Sequence, residues 1–258
     1  MSDPMPTTTP SEPGRLPDAD RLLARAALYR TISLLFADPV GGRGASPADL
    51  DLAQEAARLL DVADVAEAIE RVRATAPATV SALRSLHTRV FGLLASSTAP
   101  PYEVEYSPRG DLFWRTQQLA DIAGFYRAWS VRQEAAERPD HVAVEAEFLW
   151  YLLERQAGAV LHHHPSEKRS VLTSTFRAFF AEHFGSWVGS FARDLKTASA
   201  RAEAPFFAAA ADYLAALERI ERTRLGLDAA TPRLAHPSVA PPEEACTGCS
   251  GATPGSHT

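Results

Sequence analysis

The sequence predicts an all-α protein, a single helical bundle of about eight to ten helices carried between two disordered tails. Three observations predict it. Apolar residues recur at helical spacing through most of the middle of the chain. Sustained alternation of apolar and polar residues and Asn-Gly hairpin turns are missing, so strands have no signal. Both ends are rich in proline and small polar residues and bury too little apolar surface to offset the entropy of ordering.

Element by element, the expected division is a tail over 1–18, a helical domain over 19–224 and a second tail over 225–258. Asp20 opens the first helix, with a stripe through Leu23, Ala27, Ile32 or Thr31, and Leu35 before Pro39. Ser46 followed by Pro47 reads as an N-cap and a first helical residue. Helices follow over Asp61 to Thr75 and Thr79 to Leu94, the latter carrying Leu83, Leu86, Val90 and Phe91. Prolines break the pattern over 95–110. Asp111 is expected to cap a helix reaching Trp129, with Leu112, Leu119, Ile122 and Tyr126 on one face. Asp140 is expected to cap the next, striped by Val142, Leu149 and Leu153. Pro165 starts a helix to His183, and two more cover roughly 185–198 and 203–222.

Composition bounds the function. The 258 residues are 46% hydrophobic and 22% charged, with a net charge of −6, which suits one sizeable core. Mild acidity argues against a nucleic-acid partner, because phosphates want clustered Lys and Arg. Prolines at 4, 6, 10, 13 and 17, without an apolar run, exclude a secretory signal at the start. No window approaches the roughly 18 apolar residues of a membrane span, so membrane insertion is not expected and the localisation reads as cytoplasmic.

Candidate chemistry is sparse. The GGRG stretch at 41–44 follows a helix rather than a strand, and neither a Walker-type loop nor G-x-S-x-G occurs. No cofactor is therefore expected. His162, His163 and His164 read as a helix end rather than a metal site. Cys246 and Cys249 form CTGC, half of a zinc or iron–sulfur ligand set, which supplies too few ligands for a metal site by itself.

Between Tyr102 and Glu147 the charge concentrates: nine carboxylates face five arginines, interleaved with large aromatic residues. Rings and carboxylates together suit a ligand carrying Arg or Lys beside an apolar run. Most of these side chains are expected to be core or solvated face. Two places stand out. PPYEVEY presents Tyr102, Glu103, Glu105 and Tyr106 on a proline-stiffened loop, and ERPDH joins Pro139 to Asp140 and His141 at a helix start.

With LHTRVFGLL before the first segment and ADIAGFYRAW between the two, this order of motifs resembles the TorD/DmsD/NarJ family of redox-enzyme maturation chaperones, over about residues 20–222. The resemblance implies an all-helical, non-catalytic protein that holds the twin-arginine signal peptide or apo form of a molybdenum-cofactor oxidoreductase of the DMSO reductase family until its cofactor is inserted. It implies a peptide-binding set of Pro101, Tyr102, Glu103 and Tyr106 from one segment and Asp140 and His141 from the other. Val90 and Phe91 line the apolar part of that groove, and Glu105 and Glu145 complete the acidic side. VFGLLASST departs from the shorter, Gly-Pro-containing segment common in the family, which leaves the groove wall there open. Two alternatives stand beside this reading: a NarJ-type factor for a leaderless catalytic subunit, and a small enzyme using His141 with Asp140 or Glu145 as acid and base. The partner is thus a molybdoenzyme subunit or its leader, and the sequence leaves a homodimer open.

Overall fold

The fold was analysed on a computed structural model, which describes residues 18–39, 44–92, 98–106, 112–132, 137–227 and 234. Among them the chain forms α1 (Asp18–Phe36), α2 (Pro47–Leu59), α3 (Ala63–Ala74), α4 (Val80–Phe91), α5 (Leu112–Ala128), α6 (Val142–Leu161), α7 (Ser166–Phe179), α8 (Gly185–Arg201) and α9 (Pro205–Arg224). A 3₁₀ turn covers Glu103–Tyr106, and a π turn, Phe180–Phe184, joins α7 to α8. The all-α expectation holds. Extended pairing among the described residues is an isolated bridge between Tyr102 and His141.

The helices start where the local chemistry allows. Ser46 and Asp49 close a capping box, with Ser46 N–H donating to Asp49 Oδ2 at 2.9 Å and Pro47 at the first turn. Thr79 Oγ1 accepts from Ala82 N–H at 3.1 Å and starts α4. The ends share one device. Asp61, Ser130, His163, Glu203 and Gly226 take the left-handed conformation, φ 50–62°. In each case the next residue's N–H donates back across the last turn, as Val62 does to the Ala57 carbonyl at 3.0 Å and Ala204 to that of Ser199 at 2.9 Å.

α1 lies along α6 at the centre, and α9 is held between α8 and α3; α2 bridges α1 to α3, and α7 covers α6. Rings fill the space between them. Tyr29 meets Phe176 and Phe184 edge-on at 5.9 and 5.7 Å, and Phe36 meets Phe191 at 5.6 Å. The Tyr213 hydroxyl donates to the Leu28 carbonyl at 2.8 Å, and Arg25 Nε donates to the buried Glu221 at 3.1 Å, so α1 and α9 are tied by polar contacts as well. Past α9, Leu225, Leu227 and Leu234 lie partly buried against this core, and Leu234 N–H donates to the Ser186 carbonyl at 2.7 Å.

Several expectations are corrected. Leu23 is 39% exposed, whereas Ala27, Thr31, Ile32 and Leu35 of the expected α1 stripe are buried, joined by Ala24, Leu28 and Phe36. Leu112 is 77% exposed, so the inner face of α5 is Ile122 and Tyr126, with Leu119 half-buried. The helix from Pro165 ends at Phe179, because the π turn inserts before α8. Gly185 permits that insertion: a Cβ there would stand 2.5 Å from the Phe180 ring and 2.8 Å from its carbonyl oxygen. The expected helix to Leu94 ends at Phe91, with Gly92 at φ 76°. Asp111, Cys246 and Cys249 lie outside the described residues.

Candidate functional site

The structure brings the two singled-out segments into register. Tyr102 and His141 pair in an antiparallel bridge. Glu103 N–H donates to the Asp140 carbonyl and Val142 N–H to the Pro101 carbonyl, both at 3.0 Å. The proline-stiffened 100–102 stretch supplies the extended backbone such pairing needs. The 3₁₀ turn then folds Glu103–Tyr106 back over the start of α6 and against α8.

Asp140 does not cap α6, as the sequence suggests; His141 does, its Nδ1 accepting from Ala143 N–H at 3.2 Å. Asp140 is fully buried and caps the 3₁₀ turn instead, accepting from Val104 N–H at 3.3 Å. Its carboxylate also takes a forked pair of bonds from Arg138, 3.0 Å from Nε and 2.8 Å from Nη2. Burial pushes its pKa up and Arg138 pulls against that, leaving it above the ordinary carboxylate value. His141, also buried, is held down to about 4, because burial disfavours the charged ring.

Two of the three other acids of the predicted set are also interior. Glu103 is fully buried and accepts from Gln118 Nε2 on α5 at 2.6 Å. His183 Nδ1 of the π turn stands 3.3 and 3.2 Å from its two oxygens. Glu145 is fully buried on α6, one oxygen accepting from the Trp187 indole at 3.1 Å, the other against Glu103 with no donor facing it. Burial, then the Glu103 charge, pushes Glu145 well above the ordinary carboxylate value, against the pull of the indole N–H.

Tyr106 is buried against Trp187 and Phe191 at 5.2 and 6.4 Å, Pro101 is buried, and Val90 and Phe91 pack into the core, Phe91 on Phe207 at 5.1 Å. The part-exposed members are Tyr102 and Glu105. The Tyr102 ring lies between the His141 ring, 5.2 Å away, and the Arg138 guanidinium, 4.3 Å from its centroid. Its hydroxyl donates to Glu137 Oε1 at 3.1 Å, and burial with Glu137 nearby pushes its pKa to about 12. Glu105 pairs with Arg115 at 3.0 Å and with Arg138 at 3.5 Å. That ion pair ties the loop to the first turn of α5, where Leu112 and Phe113 are 77% and 75% exposed.

Compared with known protein families, the chain matches the one described as nitrate reductase delta subunit over residues 48–193, more than half its length. The chain belongs to the nitrate reductase delta subunit family. Comparison with the curated proteins gives no match. As a member of this family, which comprises molybdoenzyme maturation chaperones, the chain is an assembly factor by descent, and the sequence resemblance to the TorD/NarJ type is upheld. The matched stretch runs from α2 into α8 and takes in both paired segments and the π turn.

Among the described residues no helix of this nitrate reductase delta-type chain is long and apolar enough to cross a membrane. Sequence reasoning missed Gln118, His183 and Trp187, the three side chains that satisfy Glu103 and Glu145. A signal existed for His183: with Glu182 it is a titratable pair set among Phe179, Phe180, Phe184 and Trp187.

Proposed function

We propose that this chain is a cytoplasmic chaperone that binds the twin-arginine leader, or the apo form, of a molybdenum-cofactor oxidoreductase and releases it after cofactor insertion. One observation carries the reading: the paired 101–106 and 137–142 segments put Tyr102, Glu105 and Glu137 at the surface beside the exposed Leu112 and Phe113. An aromatic ring, two carboxylates and an adjacent apolar face complement a segment with arginines followed by an apolar run. The buried members of the set, Glu103, Tyr106, Asp140, His141 and Glu145, hold the rim in shape through their internal bonds.

Glu105 is already paired with Arg115 and Arg138, so a ligand guanidinium binds by exchanging for them. That makes binding salt-sensitive and selective for arginine over lysine, whose point charge does not fork. A second reading is a factor that takes a catalytic subunit without a leader; the matched family's description as nitrate reductase delta subunit favours it. Co-purification with a molybdenum oxidoreductase catalytic subunit that carries a twin-arginine leader, with and without that leader, separates the two. Capture lost with the leader favours the first reading, and capture independent of it favours the second. Absence of capture in both arms contradicts both.

A further inference from the structure

Independently of the chaperone reading, we propose that Asp121, Glu182 and His183 form a binding site for a divalent first-row transition cation, clamping α5 onto the π turn. The ligand atoms of these three residues lie within 4.8 Å of one another. The imidazole carries the argument. His183 is 1% exposed, with Nδ1 3.2 and 3.3 Å from the two oxygens of Glu103. Gln118 Nε2 also lies 3.4 Å from Nδ1, so the Nδ1 side of the ring is taken up and Nε2 is the nitrogen left to ligate. That Nε2 is buried, has no hydrogen-bond partner among the described residues and faces Asp121 Oδ2 at 3.5 Å. A ring nitrogen and two carboxylates converge here.

A cation resolves this, and the spacing suits one. Two ligands each about 2.1 Å from a tetrahedral ion stand about 3.4 Å apart, close to the 3.5 Å between Nε2 and Oδ2. Glu182 and Asp121 are exposed, so their side chains are free to close the remaining distance. One imidazole with two carboxylates suits zinc, manganese or iron(II) rather than magnesium or calcium, which prefer oxygen alone. Glu103 is the outer carboxylate that orients a metal-bound histidine and raises its basicity. The position gives the ion a use. α5 buries only Ile122 and Tyr126 in full, and an ion bridging Asp121 to the π turn adds the anchor that its packing lacks. π turns within helices recur at functional sites.

The test is calorimetric titration of zinc chloride into the chelator-stripped full chain carrying Cys246→Ser and Cys249→Ser, which removes the CTGC thiols as competing ligands. One zinc per chain is expected, with affinity weakened at least tenfold in Asp121→Ala and again in Glu182→Ala, and zinc-induced rise in melting temperature lost in both. Both positions are exposed, so these variants fold whether or not His183→Gln does. Absence of zinc binding overturns the proposal, as does binding undiminished by the two alanine variants.

Discussion

Tyr102 and His141 face each other across an antiparallel bridge, their ring centroids 5.2 Å apart, and this pairing joins the two segments that distinguish the sequence. His141 is at once the bridge partner and the N-cap of α6, so its protonation state bears on both.

Burial holds the His141 pKa at about 4, below its ordinary 6.5. The unfolded chain therefore takes up the proton first as pH falls. The stability this neutral ring contributes is fully present above pH 6.5 and is lost between there and about pH 4, up to roughly 3 kcal/mol. Protonation also removes the Nδ1 lone pair that caps α6. Urea unfolding at pH 7 and pH 4.5 checks this. His141→Asn keeps a capping side chain without a titrating group, and is expected to lose less stability on acidification than the parent; equal losses contradict the assignment.

Glu145 titrates in the opposite sense. Burial and Glu103 raise its folded pKa above the ordinary 4.5, so its contribution is fully present below pH 4.5 and is lost as pH rises and the unfolded chain ionises. Glu145→Gln supplies a permanently neutral acceptor to the Trp187 indole. The variant is expected to gain stability over the parent at pH 8 relative to pH 4.5. A variant less stable than the parent by the same margin at both values shows that the charge is not what burial opposes.

Non-glycine residues in left-handed turns predict a simple gain. Glu203, at φ 50°, is exposed and ends α8. Glu203→Gly is expected to raise stability by about 1 kcal/mol, since only glycine adopts this conformation without a Cβ penalty. Thermal unfolding of the variant measures it, and a lowered melting temperature contradicts it.

Gly185 predicts a loss. A Cβ at this position meets the Phe180 ring and carbonyl, and Gly185→Ala is expected to cost about 1–3 kcal/mol. Gly189→Ala is the control, its Cβ 3.5 Å from the nearest Glu218 oxygen, an ordinary contact. Denaturant midpoints of the two compare them directly, and equal midpoints contradict the packing of the π turn.

The helices were legible because amphipathic spacing and caps such as Ser46 with Pro47 are local. Their ends were less so. Asp61, Ser130, His163 and Glu203 close helices in a conformation usually given to glycine, so no glycine marks the stop. PPYEVEY and ERPDH stand out by residue type, but neither their pairing nor the inward turn of Glu103, Asp140 and Glu145 is legible there. The partners of Glu103 and Glu145, namely Gln118, His183 and Trp187, come from elements distant in sequence, and only the fold brings those N–H groups to the acids. The exposed Leu112 and Phe113 look like core in a helical wheel. They stay outside because α5 meets the rest of the chain mainly through Ile122 and Tyr126.

The central claim is that the rim at Tyr102 and Glu105 binds a client segment. Calorimetric titration of the full chain with a twin-arginine leader peptide of a molybdenum oxidoreductase, and separately with its apo subunit, tests it most directly. The account predicts binding that weakens at least tenfold in Tyr102→Ala and in Glu105→Gln, with melting temperatures close to the parent's. No heat with either ligand, or equal affinity in parent and both variants, contradicts it.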